Sequence, residues 1–121
     1  MNVVREILRA MNIESIDELD INDPVTITVQ GYDDLTIERI ADCQVSVAHH
    51  YVQRGDLMCD PEVVFAIDDD QWIPIEYTQH PLVHKYDKTG LEIDAFLKRW
   101  NTNLRNQGFL RAARNNCNRS E

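Results

Sequence analysis

Near the N-terminus the apolar residues fall at Val3, Val4, Ile7, Leu8 and Met11. This i, i+3, i+4, i+7 spacing predicts a helix with one buried face, ended by Asn12. Ser15-Ile16-Asp17-Glu18 has the Ser-x-x-Glu spacing of a capping box and predicts a short helical turn carrying Ile16 and Leu19, stopped by Asn22-Asp23-Pro24. The period then changes from helical to alternating. Val25, Ile27 and Val29 alternate with Thr26, Thr28 and Gln30, the mark of a half-buried strand. Tyr32-Asp33-Asp34 reads as a turn. Leu35 and Ile37 continue in strand-like composition, although Glu38-Arg39-Ile40-Ala41 also suits a helical turn.

In the next strand Val45, Val47, His49 and Tyr51 share one face, and Ser46, Ala48, His50 and Val52 the other. Gln53-Arg54-Gly55-Asp56 turns the chain. Pro61 has no N–H, so the ladder is expected to restart only after it. Val63 to Ile67 is a continuous apolar run suited to an inner strand. Asp68-Asp69-Asp70-Gln71 is a hairpin tip, and Trp72 to Tyr77 returns with Pro74 marking an edge or a bulge. Residues 78–88 are expected to be irregular. Thr89-Gly90-Leu91-Glu92 has capping-box spacing and predicts a long helix over about 90–107, with Ile93, Phe96, Leu97, Trp100 and Leu104 as its stripe and Gly108 as its stop. Phe109-Leu110 docks on the sheet, and 111–121 is a polar tail expected to fray. The predicted fold is a single α+β domain over residues 1–110. In it an antiparallel meander of four to five strands carries an N-terminal helix and a long C-terminal helix on one face, leaving the other face open to a partner.

Composition agrees with one compact domain. The chain has 121 residues, 43 % of them hydrophobic, with four Gly and four Pro, which excludes a disordered or fibrous chain. A domain of this size buries about two-thirds of its unfolded surface without needing a disulfide or metal. No apolar run is long enough for a membrane helix, and the first residues lack a signal peptide's apolar core. Three cysteines, Cys43, Cys59 and Cys117, without a C-x-x-C pair, suit a reducing cytoplasm better than a disulfide framework or zinc knuckle.

Charge changes the picture more. The net charge is −9, but residues 1–87 hold 18 acids and 5 bases, and residues 88–121 hold 3 acids and 7 bases. The plain reading is an acidic sheet partly neutralised by a basic helix. The sharper reading is two faces of opposite sign that steer partners.

Val45 to Phe65 contains Ala48-His49, Tyr51, Gln53, Gly55-Asp56-Leu57-Met58 and Asp60-Pro61-Glu62. With Trp72-Ile73-Pro74 and Trp100 to Phe109, it resembles an uncharacterised bacterial domain family found in plasmids, phages and integrative elements. The resemblance spans about residues 35–110. It implies a genomic setting near antirestriction genes, and through that setting a role against host defences, but it brings no activity and no site residues.

The candidate chemistry is thin. His49 and His50 fall on opposite strand faces, so one metal cannot readily take both. His80 and His84 are four apart but flank Pro81 in a loop. His49 with Asp60 or Glu62 across the hairpin is a candidate metal or acid–base pair, against the plainer reading of a hydrogen-bonded sheet histidine. The contiguous Asp68, Asp69 and Asp70 lack the alternation of a calcium loop. Asp56 and Asp60 suit turn backbone bonding. Neither a nucleophile motif nor a glycine-rich phosphate loop is present, so no cofactor or metal is expected.

Lys98, Arg99, Arg105, Arg111 and Arg114 form a candidate basic strip for nucleic acid, opposed by the −9 charge. Asp33, Asp34, Asp42, Asp56, Asp60, Glu62, Asp68, Asp69 and Asp70, with His49 and Tyr51, form the candidate surface for a protein partner. The leading expectation is a cytoplasmic, non-enzymatic protein that binds another protein, such as a nuclease or CRISPR-associated complex, and inhibits it. A nucleic-acid accessory protein and a metal-dependent hydrolase at His49/Asp60 are the alternatives. Homodimerisation is left open.

Overall fold

The computed structural model describes residues 2–21, 23–69, 71–79 and 83–119, with side chains at all of these except 2, 52, 53, 56–60 and 116–119. Helix α1 spans Asn2–Ala10 and puts Val3, Val4, Ile7 and Leu8 into the core. Its end is a Schellman motif. Asn12 takes a left-handed φ of 65°, Ile13 N–H donates to the Leu8 carbonyl at 2.8 Å, and Asn12 N–H to that of Arg9 at 3.0 Å. A 3-10 turn, Ile16–Glu18, follows. Ser15 Oγ accepts from Asp17 N–H at 3.3 Å, and the Glu18 carboxylate accepts from Glu14 N–H at 2.9 Å. Ser15 is the N-cap, but both bonds of the predicted capping box are displaced by one residue, onto Asp17 N–H and Glu14 N–H.

Six strands follow, β1 (Val25–Ile27), β2 (Asp34–Ala41), β3 (Gln44–Gln53), β4 (Asp56–Asp68), β5 (Gln71–Gln79) and β6 (Val83–Tyr86). They form one antiparallel sheet in chain order. The expected four to five strands are thus corrected to six, because part of the supposed irregular connection pairs with β5 through Glu76↔Tyr86 to Gln79↔Val83. The 38–41 segment is strand, not helix. Arg54 and Gly55 both have positive φ in the two-residue β3–β4 loop, as a type I′ hairpin requires.

Pro61 does not delay β4. The strand begins at Asp56, and the register shifts between Ala48 and His50, so that one residue of β3 faces two of β4. A bulge leaves an unpaired residue, which is how the ladder passes a residue with no N–H. Pro74 meets the bulge half of its expectation. Phe65 pairs with Pro74 and Val64 with Glu76, leaving Ile75 extra. The Pro74 and Ile75 carbonyls then accept from Leu91 and Asp87 N–H groups at 2.7 and 2.9 Å.

Those bonds explain another correction. Thr89 does not cap the long helix. Its N–H and hydroxyl both donate to Asp87 Oδ1, at 2.9 and 2.6 Å. Gly90, at φ +120°, is in a conformation that no helix interior adopts. Helix α2 therefore begins later and spans Asp94–Gln107, without a side-chain cap. Gly108 ends it as predicted, at φ 92°. The backbone does not pass into a polar tail there. Helix α3, Phe109–Arg119, follows at once and buries Phe109 and Ala113. The three helices pack on one another, and with Ile27, Leu35, Ile37, Val45, Val47, Val63 and Phe65 on one sheet face they close a single core. Val3 N–H, an orphan donor at the start of α1, bonds Asn101 Oδ1 of α2 at 2.8 Å. No described helix is long and apolar enough to cross a membrane.

Candidate interaction site at one end of the sheet

The β1–β2 turn, Tyr32-Asp33-Asp34, lies at one end of the sheet and is held from beneath by the core. Its partner is His49, on the helix face of β3 because Leu35 is directly opposite. A carbonyl only accepts, so at 3.1 Å from the Asp33 oxygen His49 Nδ1 carries the proton and donates. The His49 ring is buried between Trp100 of α2 and Phe109 of α3, at centroid distances of 5.7 and 5.4 Å. Tyr32 leans on Phe109 from outside, at 6.4 Å, and remains 49 % exposed. Asp33 and Asp34 are exposed beside it. An exposed aromatic ring thus rests on a buried phenylalanine, and the backbone that carries two exposed carboxylates is bonded to a buried histidine.

A cleft of about 330 Å³ opens next to His49, lined by Pro61, Phe96, Arg99, Trp100, Asn103 and Gln107. The Trp100 indole nitrogen is buried without a hydrogen-bond acceptor among the described residues. Glu62 does not join His49. It lies on the opposite sheet face, beside Ala48 in the register, and accepts from Ser46 Oγ at 2.6 Å. His50 is on that face too, with Nδ1 3.3 Å from Thr36 Oγ1. Tyr51 is half-buried on β3. His84 meets Glu76 at 3.0 Å on the β5–β6 pair. No three His, Cys, Asp or Glu side chains among the described residues are placed to hold a metal ion.

Among the described residues, the candidate acids do not gather into one patch. Asp33 and Asp34 are at the His49 end, while Asp42, Asp68 and Asp69 are at the other. Asp42 is partly engaged there: Arg39 Nε and Nη2 donate to its carbonyl at 3.3 and 3.0 Å, and Arg39 Nη1 donates to the Leu19 carbonyl at 3.1 Å. The backbone of Asp56 and Asp60 belongs to β4, but their side chains, like all of Asp70 and His80, lie outside the described residues.

The predicted basic strip also separates. Lys98 lines a cleft of about 540 Å³ with Trp72, Pro74, Asp94, Leu97 and Asn101. Arg99 lines the His49 cleft. Arg105 is ion-paired with Glu6 of α1. Arg111 and Arg114 are exposed on α3.

A family model described as a domain of unknown function, DUF6908, matches residues 2–110. The chain belongs to the DUF6908 family. The match includes α1 and β1 as well as residues 35–110. No curated protein and no solved structure matches the chain. In this DUF6908 domain the matched region takes in the whole sheet, α1 and α2, and the first two residues of α3, Phe109 and Leu110.

One feature of the site was not legible as such: Tyr32 reads as an ordinary turn residue in sequence.

Proposed function

We propose that this DUF6908 domain is a non-enzymatic binding module that contacts a basic protein surface through Tyr32, Asp33 and Asp34. The observation that carries the reading is the anchoring of that turn: Tyr32 on Phe109, and the Asp33 carbonyl on His49. Preorganised contacts bind at lower entropic cost, and tyrosine is enriched among residues that dominate interface energy. The flanking carboxylates supply attraction and orientation toward a cationic partner. The resemblance to mobile-element domains makes a host-defence nuclease or CRISPR-associated complex the first partner to try, with inhibition as the consequence of binding.

The test is affinity capture from a bacterial lysate with wild-type protein, Tyr32→Ala, Asp33→Asn/Asp34→Asn and, as a control at the far sheet end, Asp68→Asn/Asp69→Asn. A protein retained by wild type and the control but lost with the two turn variants supports the reading. Retention of the same proteins by all four would sink it.

A further inference from the structure

We propose that the cleft between α1 and α2 binds a phosphate monoester or inorganic phosphate through Arg5, Arg9 and Arg105. These three arginines, with Glu6, line a space of about 200 Å³. Arg5 and Arg9 are one helical turn apart, and like charges at that spacing destabilise a helix. The negative end of the helix dipole offsets this for Arg9, in the last turn of α1. It does not account for Arg5, four residues earlier, or for Arg105, which faces them from α2. Neither Arg5 nor Arg9 has an ion pair among the described residues. In a chain of net charge −9, three cations around one carboxylate are a local inversion of sign.

The carboxylate has a place in the arrangement. Glu6 bonds Arg105 Nη2, which restrains that guanidinium and leaves its other donors available. Arg5 and Arg9 remain as two planar donor forks. Guanidinium forks match phosphate oxygens in bidentate fashion, and a dianion relieves the repulsion between the two arginines. The adjoining cleft beyond Arg5 and Arg9 contains Glu14, so negative charge borders the site. Together with the overall charge, this disfavours a long polyanion and favours one compact phosphoryl group.

The experiment follows the arginine Nε–H resonances by NMR at constant ionic strength. The probes are inorganic phosphate, a nucleoside 5′-monophosphate, and a DNA duplex with no terminal phosphate. The proteins are wild type, Arg5→Gln, Arg9→Gln and Arg111→Gln. The expected result is saturable shifts with the first two probes. Affinity falls about tenfold or more in Arg5→Gln and Arg9→Gln, the equivalent of about 1.4 kcal/mol, and is unchanged in Arg111→Gln. Circular dichroism checks that the variants fold; should one not, the other carries the comparison. Three results overturn the proposal: no saturable shift, equal affinity in all four proteins, or arginine-dependent binding of the duplex without binding of the monoesters. The last would assign the cleft to nucleic-acid backbone instead.

Discussion

Arg39 does more structural work than any other charged side chain described. Its guanidinium is largely buried and bonds the Leu19 and Asp42 carbonyls, with Asp17 and Asp42 carboxylates at 3.7 and 3.9 Å. It thereby ties the 3-10 segment to the β2–β3 hairpin. Removing a charged donor from such bonds costs about 2 kcal/mol, so Arg39→Ala is expected to lower the unfolding free energy by that amount in a urea titration. Arg39→Lys is expected to recover only part of the loss, since a point charge cannot reproduce the fork.

Asp87 gives a different test at the same scale. The Thr89 hydroxyl, and then its N–H, hold the Asp87 carboxyl below its ordinary value. A depressed carboxylate pKa stabilises the fold above the unfolded value, and that contribution is lost as the pH falls through the folded value. Carboxyl NMR should show Asp87 titrating at lower pH than an ordinary aspartate, and Thr89→Val should return it upward. An unchanged midpoint in Thr89→Val would refute the assignment of the cause.

Among the elements, capping shows where local pattern is sufficient. Ser15 and Gly108 cap at the positions the local pattern marks, because each acts on backbone within its own turn, although the Ser15 hydroxyl takes the Asp17 N–H and not that of Glu18. Gly108 has a left-handed φ, and an added Cβ there meets nothing within 4 Å. Gly108→Ala therefore incurs backbone strain alone, about 1–2 kcal/mol, read as a lower urea midpoint with an unchanged slope.

Thr89 had equally good spacing and failed. The reason is non-local, since Leu91 N–H is bonded to Pro74 on β5 and Gly90 turns the wrong way. β6 was hidden for another reason: all four of its residues are exposed, so no hydrophobic alternation marks it. α3 was obscured because, among its described side chains, only Phe109 and Ala113 are fully buried, and mostly polar residues follow them. Truncating the first of these tests whether α3 belongs to the core. Phe109→Ala is expected to cost about 3–5 kcal/mol, and it should also loosen Tyr32 and remove one of the two rings that flank His49.

Over the whole molecule, the placement of charge matters more than its total. Asp34 is level with His50, and Asp68 lies two positions beyond Ala66, the partner of Gln44. The acidic ends are thus about 26 Å apart at 3.3 Å per residue. That distance is within the Debye length of about 30 Å at 0.01 M salt and well outside the 8 Å at 0.15 M. Repulsion between the two ends therefore acts in low salt and is screened in moderate salt. The pairs with the opposite dependence, Arg105–Glu6 and the Arg39 contacts, are close-range and lose less over the same interval. The melting temperature is expected to rise from 0.01 to 0.15 M NaCl. Neutralising either end alone, by Asp33→Asn/Asp34→Asn or by Asp68→Asn/Asp69→Asn, should flatten that rise. A melting temperature that falls with salt would mean that the close pairs outweigh the repulsion between the ends.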